Sequence, residues 1–497
     1  MSILKIACCI LAGCLASSAV AQTTQPLTAA ADKVYTILPM GDSITEGAGG
    51  FGNYRFPLWE KLHAAGYFVE YVGSKERASP IGSLKHEGYG GHRADFFARN
   101  IEAFYKQNPA DIILLHAGHN FTVEDKPVPT ILQSTETIIS TVRRLNPNVK
   151  VLVAQVITSG KLPKYSYIPE LNAELAKLVT RIDPEQKNVM LVNQAEGWDY
   201  RSDCTSDMVH PNASGAQKMA QKWFDALTKV LPSPGPQLQP TLVAYKKASG
   251  VDLHLHVFSP QRDATSPNEK RAAVVYFFGG GWSLGTPIQF YAECRQLASH
   301  GMVAISAEYR IASVNKTTPY DALADAKSAM RWVRQHAAEL GVDPDRIAAA
   351  GSSAGGHLAA AAAICPGFDD PKDDLHVSPA PNALVLLAPV INNGPDGFGY
   401  ESVKDHYKEF SPFYALDTTG SKPPPMMIYL GDHDKNTPVS VAEDFQKRVR
   451  ALGGRCDLHI LTGFQHGLFS YREPPSKECL QIRQDTLNFF RSLGYAQ

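Results

Sequence analysis

Two serines in this 497-residue chain stand where a turn would expose a hydroxyl. Ser43 lies in Gly41-Asp42-Ser43-Ile44-Thr45, after the apolar run that ends at Met40. Ser353 lies in Gly351-Ser352-Ser353-Ala354-Gly355, after Arg346–Ala350. A serine hydroxyl is a weak nucleophile until a histidine takes its proton, and that histidine needs a carboxylate to orient its ring. Both kinds of partner occur downstream of each serine. Asp207 and His210 are three residues apart in Asp207-Met208-Val209-His210-Pro211-Asn212, so one turn of loop can carry both. Asp432 and Asp434 follow Gly431, and His466 sits in Gly463-Phe464-Gln465-His466-Gly467. Such sets transfer an acyl group to serine and then to water, with no cofactor.

Gly-x-Ser-x-Gly also occurs at Gly281–Gly285, around Ser283. Context separates the two matches. Ser353 follows an apolar strand and precedes the helical run Ala354–Ile364, the strand–turn–helix setting that lifts a serine above a sheet. Ser283 follows Ala272–Phe278 and Gly279-Gly280-Gly281-Trp282, and reads as a loop residue.

The elements that must position these residues alternate between strand and helix. In the first half, strands are predicted over Val34–Met40, Phe68–Val72, Asp111–Leu115, Lys150–Val156 and Val189–Val192, with helices over Tyr54–Ala65, Pro129–Leu145 and Ala213–Val230. The second half offers strands over Leu253–Phe258, Ala272–Phe278, Val303–Ala307, Arg346–Ala350, Ala383–Leu387, Met426–Leu430 and Asp457–Leu461. Its helices are predicted over Asp321–Glu339, Ala354–Ile364, Val439–Ala451 and Glu478–Arg491. This alternation implies α/β architecture, with parallel sheets covered on both faces. Between the halves, residues 231–240 hold four prolines, which remove donors, fix φ and predict a stiff linker.

Charge excludes some functions. With 48 Lys+Arg against 49 Asp+Glu, the net charge of -1 offers no electrostatic footprint for nucleic acid or an anionic membrane. At 44% hydrophobic and 20% charged residues, the composition is that of a folded chain. Residues 1–21 read as a signal peptide, with Lys5, an apolar stretch and Ala19-Val20-Ala21 before the cut; this predicts a secreted or periplasmic protein without membrane insertion. Leu11-Ala12-Gly13-Cys14 resembles a lipobox, the alternative in which Cys14 carries a lipid anchor. Past the leader remain Cys204, Cys294, Cys365, Cys456 and Cys479, an odd set without zinc-ligand spacing.

The first half also contains His86-Glu87-Gly88-Tyr89-Gly90-Gly91 and Gly118-His119-Asn120. With the Ser43 and Asp207/His210 blocks, this order resembles the SGNH (GDSL-type) hydrolases over about 33–230, most closely their acetylxylan-esterase branch. The resemblance implies a flavodoxin-like three-layer α/β/α domain. It makes Ser43 the nucleophile, Asp207 and His210 its partners, and Gly91 and Asn120 oxyanion-hole donors. Phe121 departs from the aspartate usual after that asparagine.

Residues 241–497 resemble α/β-hydrolases of the hormone-sensitive-lipase and acetylxylan/feruloyl-esterase type. The resemblance implies an α/β-hydrolase domain with Ser353 as nucleophile, Asp434 as acid (Asp432 the reserve) and His466 as base. It assigns the oxyanion to the amides of Gly280, Gly281 and Ala354. Phe278 stands where such enzymes carry a histidine that braces the loop. The expected substrate is an acetylated polysaccharide such as xylan or xyloglucan. Alternatives are one catalytic half beside a binding module, or a lipase- or peptidase-type serine hydrolase. His86, His92, His116, His119 and His210 match no zinc motif, so no metal is expected. His254 and His256 alternate on one strand, which predicts a solvated sheet face.

Overall fold

Two sheets carry the two candidate sites. The computed structural model describes residues 34–49, 52–67, 69–234, 239–260, 270–469 and 477–497, so the segment expected to be a signal peptide, with Cys14, and the middle of the proline-rich stretch lie outside the described residues. The first sheet comprises β1 (Tyr35–Gly41), β2 (Val69–Tyr71), β3 (Lys75–Ser79), β4 (Gly82–Gly88), β5 (Ile112–His116), β6 (Lys150–Gln155) and β7 (Val189–Asn193). Its order is β3-β4-β1-β5-β6-β7, with β2 and β4 sharing one edge of β1. Alternate residues of the parallel strands serve two cores. Leu38, Met40, Ile113 and Leu115 pack with helices Ala94–Gln107, Val128–Leu145 and Ile168–Ile182. Ile37, Ile112 and Leu114 face Trp59 and Trp223 on helices Arg55–Ala64 and Ala213–Val230. Burial on both faces explains the continuous apolar runs.

The sequence pattern missed the β3–β4 hairpin. Lys75–Ser79 and Gly82–Gly88 are polar, and only Ile81 and Leu84 reach the core. The hairpin nonetheless carries the chain to Gly91. The pattern also missed helices Ala94–Gln107 and Ile168–Ile182.

The second sheet comprises β8 (Thr241–Ala248), β9 (Val251–Phe258), β10 (Arg271–Phe277), β11 (Val303–Ala307), β12 (Val342–Ser352), β13 (Ala383–Leu387), β14 (Met426–Gly431) and β15 (Cys456–Leu461). Its spatial order is β8-β9-β11-β10-β12-β13-β14-β15. The β8–β9 and β9–β11 pairs are antiparallel and the rest parallel. The mixed α/β class and the order of the two folds follow the sequence-based expectation.

The sheets are packed together. Residues Val34–Gln497 form one compact unit, and Trp59 and Trp223 belong to the same apolar core as Leu253 and Tyr291. A buried Arg295 guanidinium donates to the His63 carbonyl at 3.3 Å, and Gln239 Nε2 donates to Ala65 O at 3.2 Å.

One expectation fails here. The face bearing His254 and His256 is not solvated at His256, which is buried and bonded to the Tyr291 hydroxyl and, at 3.2 Å, to Glu308. Helix Tyr291–Ser299 covers that position. Among the described residues, Cys204, Cys294, Cys365 and Cys456 form no disulfide.

Candidate active sites

At the first site, β1 ends against β5 so closely that a Cβ on Gly41 would lie 2.0 Å from the His116 carbonyl oxygen. The chain then turns into the short helix Ser43–Glu46, which Asp42 caps by accepting the Ile44 amide at 3.0 Å. The buried Arg55 donates to the carbonyls of Thr45, Glu46 and Leu84, each at 2.9 Å, and so clamps this turn to the hairpin. Ser43 Oγ lies 2.8 Å from His210 Nε2, and His210 Nδ1 lies 2.5 Å from Asp207 Oδ2. The other Asp207 oxygen accepts from the Thr205 hydroxyl and the Val209 and His210 amides at 2.9–3.0 Å. Burial, the largest single influence, pushes the Asp207 carboxyl up. The bonds from His210, Val209 and Thr205 together outweigh it and hold the group well below the usual carboxylate range.

Three groups retain a proton to donate. Among the described residues the amides of Ser43 and Gly91 have no protein acceptor, and a Cβ on Gly91 would meet nothing within 4 Å. Asn120 adopts φ 69°, and its Nδ2 gives one proton to His92 O at 3.0 Å, leaving the second. Phe121 is buried in the core beneath the Arg93 guanidinium, and Arg93 Nε holds the Asn120 carbonyl at 3.2 Å. Sequence reasoning missed Glu46, whose carboxylate takes the Gly90 amide at 2.6 Å and pairs with Lys75. No local signal links residues 44 positions apart.

The second site stands on β12. Ser353 has φ 55° and ψ −120°, an unfavourable conformation for a non-glycine residue, at the junction of β12 and helix Ala354–Ile364. A Cβ on Gly355 would lie 2.0 Å from Phe277 O and 2.4 Å from Phe278 O, so only glycine lets helix and strand approach this closely. His466 Nε2 lies 2.7 Å from Ser353 Oγ, and its Nδ1 lies 2.9 and 3.1 Å from the Asp434 oxygens. Asp434 is fully buried and also accepts the Asn436 and Thr437 amides. Asp432 instead accepts the Gly463 amide at 2.7 Å. Of the two carboxylates, Asp434 is the one that His466 meets.

Among the described residues the amides of Gly280, Gly281 and Ala354 lack protein acceptors. Where related enzymes carry a bracing histidine, Phe278 stacks on Tyr309 with centroids 4.1 Å apart, and the Tyr309 hydroxyl donates to Phe278 O at 2.8 Å. Gln289 accepts the Gly279 amide at 2.7 Å. Ser283 lies in the turn after Gly280, its amide bonded to Gly280 O.

His86, His92, His116, His119 and His210 do not all converge. His86 accepts the Gly88 amide and burial lowers it to about 3; His92 packs against the Phe96 ring at a tilt; His210 faces Ser43. His116 and His119 lie beside Asp42.

Both arrangements suit nucleophilic acyl transfer: a serine hydroxyl bonded to an imidazole, a carboxylate on its far nitrogen, and unpaired amides where an oxyanion would form.

The GDSL-like lipase/acylhydrolase family matches residues 40–218, the BD-FAE family 256–392, and the prolyl oligopeptidase family 387–492. Carboxylesterase NlhH of Mycobacterium tuberculosis is 37% identical over 135 residues, 25% of this chain and 39% of its own. Arylesterase of Saccharolobus solfataricus is 33% identical over 151 residues, 30% of this chain and 46% of its own. Esterase LipC of M. tuberculosis is 26% identical over 205 residues, 37% and 50% of the two chains. The chain thus spans half or less of the length of these curated relatives. The propionate-bound esterase 2 of Thermogutta terrifontis is 36% identical across 54% of this chain and 98% of its own, with a TM-score of 0.49.

Proposed function

Since this chain joins a GDSL-like acylhydrolase region to an α/β-hydrolase region, we propose that it is a carboxylic ester hydrolase with two independent serine sites. We further propose that it is exported and removes acetyl groups from a plant-type polysaccharide such as xylan or xyloglucan. The observation that carries the two-site reading is the pair of unbroken Ser–His–Asp chains, Ser43–His210–Asp207 and Ser353–His466–Asp434.

In each site the histidine Nε2 accepts the serine proton as Oγ attacks the ester carbonyl. The carbonyl electrons move onto oxygen, where the unpaired amides (with the Asn120 side chain in the first site) bind the charge. Collapse expels the alcohol, which takes its proton from the imidazolium. The carboxylate keeps the ring oriented throughout. Water then repeats the sequence on the acyl-serine, releasing the carboxylic acid. Two sites on one chain raise the local concentration of the second site once the first holds a polymer.

The test compares Ser43→Ala, Ser353→Ala and the double variant on a small acetyl ester and on acetylated xylan and xyloglucan. Losing a nucleophile costs its own site about 10⁴–10⁶ in turnover. Each single variant is therefore expected to retain activity, only the double variant to approach background, and the residual acetyl pattern by NMR to differ between the two. If one single variant abolishes all activity while melting normally, the two-site reading fails. The prolyl oligopeptidase match over 387–492 favours one rival: faster turnover of aminoacyl anilides than of acetyl esters would replace the esterase reading with a peptidase.

A further inference from the structure

Behind the Ser43 turn lie three side chains that the mechanism does not use. Asp42, His116 and His119 are 1%, 0% and 2% exposed. Among the described residues, each has a buried polar atom with no hydrogen-bond partner: Asp42 Oδ2, His116 Nδ1 and His119 Nδ1. The three groups place polar atoms within 4.8 Å of one another. Unpaired polar atoms in a dry interior forfeit their hydration, so three at one place point to a shared guest.

An Asp-His-His set invites a metal ion, but the proton positions argue against one. Both rings are read by Ile157. Its carbonyl can only accept, so in the neutral ring of His119 the proton sits on Nε2, 3.1 Å away, and Nδ1 presents a lone pair. Its amide can only donate, so His116 Nε2, 3.4 Å away, is the acceptor. Burial lowers His116 to about 4 and keeps it neutral, so its single proton sits on Nδ1. The site therefore presents one donor, His116 Nδ1–H, and two acceptors, His119 Nδ1 and Asp42 Oδ2. A cation needs three lone pairs and finds two.

Spacing agrees. A metal about 2.1 Å from each ligand in a tetrahedral site wants them about 3.4 Å apart. Asp42 Oδ2 and His119 Nδ1 are already 3.7 Å apart, which is also too far for a direct hydrogen bond. Three atoms within 4.8 Å of one another all lie within about 2.8 Å of a common point, the length of an ordinary hydrogen bond.

We propose that Asp42, His116 and His119 bind one buried water molecule, which ties the nucleophile turn to the oxyanion loop. The water accepts from His116 and donates one proton each to Asp42 and His119, which matches its two protons and a lone pair to the three groups. Asp42 precedes Ser43 and His119 precedes Asn120, so the bridge holds the attacking hydroxyl and an oxyanion donor in register. The three side chains are positioning residues. Their effect on turnover rests on the reading of Ser43 as a nucleophile; their occupancy by water does not.

The test has an arm for each part. In full-length protein labelled with ¹⁵N-histidine, His116 (assigned through His116→Asn) should show a protonated Nδ1 and a bare Nε2 at neutral pH. Elemental analysis of the purified protein, and of protein incubated with zinc and desalted, should find no stoichiometric metal. A bare His116 Nδ1, or one retained ion per chain that is lost in Asp42→Asn, would overturn the water and establish a cation site.

For the coupling, kinetics are read in the Ser353→Ala background. His116→Leu removes the donor and should lower kcat about tenfold or more with KM little changed. His116→Asn, whose amide can donate from nearly the Nδ1 position, should recover most of that loss. Equal kcat in the leucine variant and the parent, with normal melting, would refute the coupling. Loss of activity in the Ser353→Ala parent itself would instead count against Ser43.

Discussion

Replacing Gly355 by alanine tests whether the second site owes its geometry to a close backbone crossing. The new Cβ would lie 2.0 Å from the Phe277 carbonyl oxygen and 2.4 Å from that of Phe278, whereas real Cβ atoms do not approach below 3.0 Å. Both obstacles are main-chain atoms, so no flexible side chain can swing away. Relief requires about 1 Å of movement, either of the end of β10 or of the first turn of helix Ala354–Ile364. The first would carry Gly280 and Gly281 with it, the second Ala354, so either shifts an oxyanion donor. Misplacement by about 1 Å costs on the order of 10²-fold in rate, and loss of one donor about 10²–10³. Gly355→Ala in a Ser43→Ala background should therefore lower kcat on an acetyl ester at least about 100-fold. The overpacking should also cost about 1–3 kcal/mol of stability, visible as a lower melting temperature. The assay pairs steady-state kinetics with thermal melts and titration of Ser353 by a fluorophosphonate. A variant that keeps kcat within threefold and melts like its parent would refute the reasoning.

Asn120→Ala, read in a Ser353→Ala background, should lower first-site turnover about 10²–10³-fold with little change in melting; an effect below tenfold would remove Asn120 from the oxyanion hole. Glu60 is a carboxyl that burial pushes up to about 7. The folded protein thus holds a proton that the unfolded chain releases near pH 4.3, and stability falls as pH rises through the interval between those values. Glu60→Gln should accordingly raise stability by about 1–2 kcal/mol at pH 8 and change little at pH 4, and pH-resolved melts showing no gain at pH 8 would disprove this. Asp325 is fully buried between Arg310, bonded at 2.7 and 2.9 Å, and Lys246 at 2.8 Å. Asp325→Ala removes the carboxylate that two buried cations share, leaving Lys246 to Asp370 at 2.7 Å and Arg310 to Asp321 at 3.5 Å, and should cost about 3 kcal/mol in chemical denaturation; a loss below 1 kcal/mol would mean the remaining carboxylates compensate both cations.

Motifs governed by local geometry were legible in the sequence. Asp207 and His210 are three residues apart and share one turn, and the small residues around Ser353 mark a place where a strand can turn sharply into a helix. Buried parallel strands were legible too, because four consecutive apolar residues in β5 and five in β13 have few other uses. What the tertiary structure decided are contacts between segments distant along the chain. The choice of Asp434 over Asp432 depends on which carboxylate the loop turns inward, and the Asn436 and Thr437 amides fix Asp434 against His466. The brace on the oxyanion loop comes from Tyr309, and the anchor of the Gly90 turn from Glu46. The polar β3–β4 hairpin carries no periodic apolar signal, and His256 is buried only because a helix from further along the chain covers it. Likewise Asp42, His116 and His119 read as a turn residue and two scattered histidines until β1 and β5 pair and bring them together. Periodicity and turn chemistry act within a few residues; pairing register and packing, which alone bring distant polar groups together, act across the whole chain.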